Sequence, residues 1–298
     1  MREIRVRVPA TSANLGPGFD AIGLALTLYV DVTATQSARN RFVYTGDGAL
    51  PDTPDNLIHE GVRAAFAHVG RTPPPLTLQV DNQIPLARGL GSSSAALLAG
   101  LAIGDELLGG DLGRETIFQI AAAKEGHPDN VAPAAFGGFT IAAKQAGPTD
   151  PYAHAQLAWP EDWHVSVIIP DYHVHTENAR KVLPAEYSRA DVVATSSRSA
   201  LLVAAVAQAD ASLLKIATQD VMHEPYRGSL LPGFAEAQAA AKEAGALAAF
   251  LSGAGPTMAI IATDQRVQRN AESAAAPYVQ AGGRVLRLEA AGGYEVLP

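Results

Sequence analysis

The stretch "IPLARGLGSSSAALLAG", Ile84–Gly100, decides how the rest of the chain is understood. A strand end gives way to a glycine-serine turn, and the turn opens an alanine- and leucine-rich helix. Gly89 and Gly91 are small enough for backbone to approach a ligand closely. Ser92, Ser93 and Ser94 then start a helix whose free N–H groups and dipole favour an anion. Two familiar phosphate loops do not fit. No Lys follows the second glycine, as a P-loop requires. Ser94 stands where a dinucleotide fingerprint has its third glycine, and this is not the first βαβ unit of the chain. The bland alternative is a serine-capped helix after a glycine turn.

The surrounding composition narrows the choice. At 298 residues the chain predicts one large or two ordinary domains. Apolar residues make up 48% and charged residues 17%, which predicts a packed globule and not a disordered chain. The net charge of −8, with no Lys/Arg block, argues against nucleic acid and anionic membrane as partners. The absence of cysteine excludes disulfides, thiolate metal sites and cysteine catalysis. "MREIRVRVPATSAN" alternates apolar and charged residues, unlike the apolar region of a signal peptide. No membrane span is expected, and the default compartment is the cytoplasm.

Strand-like and helix-like segments alternate along the chain. Ile4, Val6 and Val8 predict a strand ending at Pro9. Ile22–Thr35 and "RFVYTG" continue the β pattern, Asp55–Gly70 has helical spacing, and Leu76, Leu78 and Val80 alternate. A helix is expected over Gly113–Gly126, then a loop leading into the strand of "GGFTIAA". The Pro-rich, polar stretch Gly147–Asp162 suggests a boundary, giving domains of 1–155 and 156–298. Beyond it come the strand "HVSVIIP", three helical stretches, a strand–turn–strand over Leu247–Ala262, a helix over "DQRVQRNAESAAAPYVQAGG" and a last strand "RVLRLEA".

Three other stretches are too unusual to be plain punctuation. "PATSANLGPGFD" (Pro9–Asp20) packs Gly, Pro and Asn after a strand, "EGHPDNVAPAAFGG" (Glu125–Gly138) gathers Glu, His, Asp and Asn, and "LSGAGPTMAI" (Leu251–Ile260) is a glycine-rich turn between apolar strands. Pro9–Asp20, Pro85–Ala96 and Leu251–Met258 resemble the three motifs of the GHMP kinase superfamily, the middle one in its specific form Pro-x-x-x-Gly-Leu-Gly-Ser-Ser. "ANLGPGFD", "GHPDNVAPAAFGG", "HEPYRGSLLPGF" and "LSGAGPT" resemble its homoserine-phosphorylating branch.

The resemblance implies an α+β fold of two domains with the active site in the cleft between them. The N-terminal domain would contain a left-handed βαβ unit, and the C-terminal domain a ferredoxin-like sandwich. It implies transfer of phosphate from ATP to the side-chain hydroxyl of L-homoserine, a step of threonine biosynthesis, and a homodimer. ATP would lie on Pro85, Leu86, Ala87, Arg88, Gly89, Leu90, Gly91, Ser92, Ser93, Ser94 and Ala95, with Asn56 at the adenine. Mg²⁺, rather than a loop lysine, would neutralise the phosphates, held by Glu125 and by Ser93 or Ser92. Asn14, Asp20, His127, Asn130, Thr176, Arg180 and Arg227 resemble the homoserine-site residues, with Asn130 and Arg180 acting in the transfer. Asp129 is the carboxylate available as a base, although positioning and charge can suffice for phosphoryl transfer. Two features depart from the family pattern: Ala87-Arg88-Gly89 replaces a small pair, and the Glu125–His127 segment is short. The rival readings are a kinase for another small hydroxyl acceptor and a silent, nucleotide-binding member of the fold.

Overall fold

The computed structural model describes residues 3–298 except 49, 51, 52, 54, 146, 148, 149, 280 and 281. The N-terminal half contains β1 (Glu3–Ala13), β2 (Ile22–Gln36), β3 (Arg41–Gly46), α1 (Leu57–His68) and β4 (Leu76–Asn82). It continues with α2 (Ser92–Leu108), α3 (Gly113–Glu125), α4 (Val131–Phe136), β5 (Phe139–Lys144) and β6 (Tyr152–Leu157). The second half contains β7 (His164–Ile169), α5 (Thr176–Lys181), α6 (Arg189–Gln208), α7 (Leu214–Ala217), α8 (Glu224–Arg227) and α9 (Phe234–Glu243). It ends with β8 (Ala248–Leu251), β9 (Met258–Ala262), α10 (Gln265–Ala275), β10 (Arg284–Leu288) and β11 (Glu295–Leu297).

The first sheet runs β11-β1-β2-β4-β3, with β5 also on β2 and β6 on β5. β3 and β4 pair in parallel, and α1 lies between them in sequence, which makes a βαβ unit. Alternation works as expected in β1: Ile4, Val6 and Val8 are buried while Glu3 and Arg5 are exposed. The strand does not stop at Pro9. A register shift between Pro9 and Ala10 absorbs the missing N–H, and β1 continues to Ala13. That continuation carries the first motif to the site.

α2 is buried on nearly every face. It reaches its place by close packing on α1, since a Cβ on Gly100 would meet the Ile58 carbonyl oxygen at 2.0 Å. The small residue thus fixes where the N-terminus of α2 points.

The second sheet is antiparallel, in the order β10-β7-β9-β8. With helices between β7 and β8 and α10 between β9 and β10, this is the ferredoxin-like βαββαβ arrangement. Its strands show period two. Ile168, Ile260 and Leu251 face a core with α9 and α10, while Val165, Val167, Ile261 and Phe250 join the main core of the first half. One core therefore spans both halves.

Several expectations are corrected. The stretch before β5 is not all loop, because Val131–Phe136 forms α4. The polar stretch Gly147–Asp162 contains β6, in which Gln156 pairs with Thr140 of β5, so residues 155 and 156 lie within one strand. The strand β10 is not the last, since β11 returns to β1 through Val6↔Val296. The helix α10 ends at Ala275, and residues 280 and 281 of its expected span lie outside the described residues. Among the described residues, α6 is the one helix long and apolar enough to cross a membrane. Asp191, Arg198 and the hydroxyls of Thr195, Ser196, Ser197 and Ser199 interrupt it, and Leu202, Ala205 and Val206 are packed into the core.

Candidate active site

The three glycine-rich stretches meet, and hydrogen bonds stitch them together. Asn14 Nδ2 donates to the Gly253 carbonyl at 3.1 Å. Ser252 Oγ donates to the Gly89 carbonyl at 2.7 Å and lies 2.8 Å from Ser12 Oγ. Thr11 N donates to the Leu90 carbonyl. The glycine-serine loop is therefore built from both sides, by the end of β1 and by the β8–β9 turn. Gly91 is left-handed at φ +69°, and a Cβ there would meet Thr11 Oγ1 at 2.0 Å. Ser92 is the first helical residue of α2, and no side chain caps the free N–H groups behind it.

A cavity of about 260 Å³ opens over this helix start. Its walls include Gly89, Gly91, Ser92, Ser93 and Ser94 on one side and Asn14, Asp20, His127, Asp129, Asn130, Thr176, Arg180 and Arg227 on the other. Glu125 stands at the rim, accepting from Ser93 Oγ at 2.7 Å. Thus residues from five separate parts of the chain share one space. Pro85, Leu90 and Ala95 are buried and frame the loop without lining this space.

The charged groups are ordered among themselves. Arg180 donates two hydrogen bonds to Asp20, at 2.6 and 2.9 Å. His127 Nδ1 meets Asp129 Oδ1 at 2.8 Å. Burial opposes a charge on His127, but the Asp129 hydrogen bond and charge outweigh it and raise its pKa. Asn130 accepts from Thr11 Oγ1 at 2.8 Å. The carboxylates and His127 form the one cluster among the described residues with the spacing of a metal site. Arg180, paired with Asp20, already supplies positive charge there.

Arg227 is almost wholly buried. Its Nε donates to the Ala179 carbonyl, and its Nη1 donates to the Gly253 carbonyl and to His223 Nδ1. Burial first, and then the neighbouring Arg180, lower its pKa to about 10, which leaves it charged at neutral pH. His223 is also buried, and its Nε2 lies 2.8 Å from the Gly16 carbonyl. Burial lowers its pKa, and a neutral ring satisfies both contacts, with Nε2 donating and Nδ1 accepting. Asp220 caps this turn by accepting from the N–H groups of Met222, His223 and Glu224.

A second cavity of about 270 Å³ adjoins the first through Ser92 and Ser93. It is mostly apolar, walled by Val30, Phe42, Tyr44, Leu57, Ile58, Val80, Leu86 and Ala96 among others. A planar base suits such a slot. Asn56 lines it, but its side chain is engaged in capping α1. Its Oδ1 accepts from His59 N, and its Nδ2 reaches the Thr53 carbonyl and His59 Nδ1. Arg88 also departs from its neighbours. Its guanidinium bonds the Pro170 carbonyl and Asp171, so its charge ties the loop to the second half of the chain.

Sequence reasoning missed Phe19, His223 and the strand residues of the apolar cavity. Phe19 stands within the first motif, beside Asp20, and position alone could have marked it. Val30, Phe42 and Val80 carry no signal, because a strand residue facing a cavity looks like any core residue.

Models described as GHMP kinases N terminal domain and GHMP kinases C terminal match residues 56–138 and 201–280. Fold and site therefore define a GHMP kinase, with the ATP use which that class implies. A homoserine kinase of Thermus thermophilus is 50% identical over 87% of this chain and 86% of its own length. That of Deinococcus radiodurans is 46% identical over 86% and 83%. The crystal structure of homoserine kinase from Cytophaga hutchinsonii superimposes with a TM-score of 0.87 at 29% identity, covering 100% of this chain and 98% of that one. The chain belongs to the homoserine kinase family.

Proposed function

We propose that the chain transfers the γ-phosphoryl group of ATP to the side-chain hydroxyl of L-homoserine, giving O-phospho-L-homoserine. The observation that carries this reading is the single cavity in which the α2 N-terminus faces Asp20, Arg180 and Arg227. A phosphate chain needs the first and an α-amino acid needs the second.

The base would enter the apolar cavity, and the phosphates would lie over Gly89–Ser94. Asp20 would take the ammonium, and Arg180 and Arg227 the carboxylate. Asn14, His127 and Thr176 would complete the acceptor wall. Asn130 and Asp129 would hold the hydroxyl in line with the γ-phosphorus. A bond then forms from the hydroxyl oxygen to phosphorus, the bond to the β-phosphate oxygen breaks, ADP leaves, and the hydroxyl proton is lost. Positioning and charge can carry such a transfer. Ser93 and Glu125 present adjacent oxygens at the rim, a donor set suited to a hard cation. They would hold Mg²⁺, which when bound supplies the charge that the loop lacks.

A coupled assay with Mg-ATP and homoserine, mevalonate, shikimate or galactose tests the reading. Homoserine is expected to give the highest kcat/KM. Preference for another alcohol, or no turnover, overturns it. We place the division of the chain after Leu157, where β6 ends the N-terminal run of the first sheet, to which only β11 later returns. The homodimer that the resemblance implies would cover the exposed Val192 and Val193 of α6, and sedimentation as a monomer at micromolar concentration removes that reading.

A further inference from the structure

The connection from β7 into α5 brings Thr176 and Arg180 to the acceptor wall, yet little apolar burial holds it. From Asp171 to Lys181 only Val174 and Ala179 are buried, and Tyr172 packs in part on the second core. A segment with so few buried contacts opens easily unless polar ties hold it. Such ties run to the glycine-serine loop. Val174 N donates to the Ala87 carbonyl at 3.2 Å. The Arg88 guanidinium spans the start of the connection, with Nη1 donating to the Pro170 carbonyl and Nη2 to Asp171 Oδ1, the latter at 3.0 Å. Ala87 is held at φ +55°, a left-handed conformation that is costly for alanine and persists only where its surroundings enforce it. The Arg88 carbonyl in turn accepts from Thr257 N, so this junction also rests on the end of the β8–β9 turn. Arg88 lines the cavity beside Gly89, where an arginine could fork a phosphate. Both of its terminal nitrogens are engaged by the connection instead, and turning them to a phosphate would break both bonds.

We propose that Arg88, although it stands in the nucleotide loop, is a positioning residue for the acceptor: through Pro170 and Asp171 it braces α5 at a set distance from the phosphate seat. This rests on the homoserine reading above. Asp171 does not line the cavity, so it acts on the reaction only by holding Arg88. With the brace in place, Thr176 and Arg180 present the acceptor at one distance from the loop. A misplacement of about 1 Å is enough to slow a transfer strongly, even when its cause lies away from the reacting atoms.

The test measures kcat and the KM of each substrate in the wild type, Arg88→Gln, Asp171→Ala, Asp171→Asn and the double variant Arg88→Gln/Asp171→Ala. Asp171→Ala is expected to lower kcat/KM for homoserine by roughly five-fold, the worth of one partly exposed ion pair. Arg88→Gln also loses the Pro170 bond and is expected to lower it by roughly ten-fold or more. The double variant is expected to match Arg88→Gln, because the two residues act as one brace. Asp171→Asn keeps an oxygen for Nη2 and is expected to fall between Asp171→Ala and the wild type. The KM for ATP is expected to hold in every variant. A raised KM for ATP in Arg88→Gln, with Asp171→Ala unchanged, gives Arg88 to the phosphates and overturns the proposal. A rise in both KM values, the mark of a generally loosened fold, overturns it too, as do losses that multiply in the double variant. The Asp171 side chain is 52% exposed, so its replacement remains readable even where Arg88→Gln does not fold, and wild-type kinetics in Asp171→Ala overturn the brace. A wild type that prefers another alcohol would overturn the homoserine reading alone, and the same comparison with that alcohol then tests the brace.

Discussion

The two walls of the cleft are built by different means. The glycine-serine loop is one contiguous run in which Gly91 turns left-handed and Ser92 opens α2, braced by the end of β1 and the β8–β9 turn. The opposite wall brings together Asp20, His127, Arg180 and Arg227 from four distant segments. A contiguous loop fails when its backbone is blocked. A dispersed wall fails by degrees, as one partner at a time is lost.

The largest effect is expected where backbone space is tightest. Gly91→Val puts a branched side chain onto Thr11 Oγ1, in a backbone conformation that valine resists. Titration calorimetry with a non-hydrolysable ATP analogue should detect no binding. Retained affinity would mean that the loop does not hold the nucleotide.

Ser93→Ala and Glu125→Ala act at the rim, where little packing is lost. Each is expected to lower kcat by roughly 100-fold or more, as loss of charge stabilisation at a transferring phosphate does. Melting temperatures should hardly move. Full activity in both would remove these two residues from the cation site.

On the dispersed wall, Arg227→Lys keeps the charge and loses the planar fork. A charge-assisted hydrogen bond is worth about 1.5–3 kcal/mol, so kcat/KM for homoserine should fall by roughly 10- to 150-fold while the KM for ATP holds. Unlike the rim variants, this one should also melt earlier, because it removes the Arg227 donor from the Ala179 carbonyl and one of the two side-chain donors from the Gly253 carbonyl. Loss of ATP affinity instead of homoserine affinity would move Arg227 to the other wall.

The last effect is read in stability and not in turnover. Glu224 is buried beside Arg227's turn, and burial pushes its carboxyl from 4.5 up to about 7, against the Leu251 N–H bond that opposes the shift. The folded chain therefore holds this proton more tightly than the unfolded chain. The contribution of Glu224 to stability is fully present below 4.5 and is lost as pH rises towards 7, on the order of 3 kcal/mol. Glu224→Gln should flatten that slope in melts between pH 5 and 8. Parallel curves for the two proteins would show that Glu224 does not titrate there.

The sequence by itself determined the local chemistry. The set of residues that the cleft gathers came from the resemblance of its motifs to a known family, while the chain's own patterns marked the glycine-serine helix start and most strands and helices. These follow from neighbours along the chain, through periodicity, turn residues and capping. Only the tertiary structure decided how those residues are used. It tied Arg88 to Asp171, fixed Arg227 on backbone carbonyls and paired Arg180 with Asp20. It also made a slot from Val30, Phe42 and Val80, which the alternating pattern marks only as core. It carried β1 past Pro9 and drew the polar stretch after β5 into the sheet as β6. The physical reason is the same in each case. A side chain's hydrogen bonds, burial and charge depend on partners tens to hundreds of residues away, and local sequence does not encode which of several neighbours a guanidinium or a strand edge will meet.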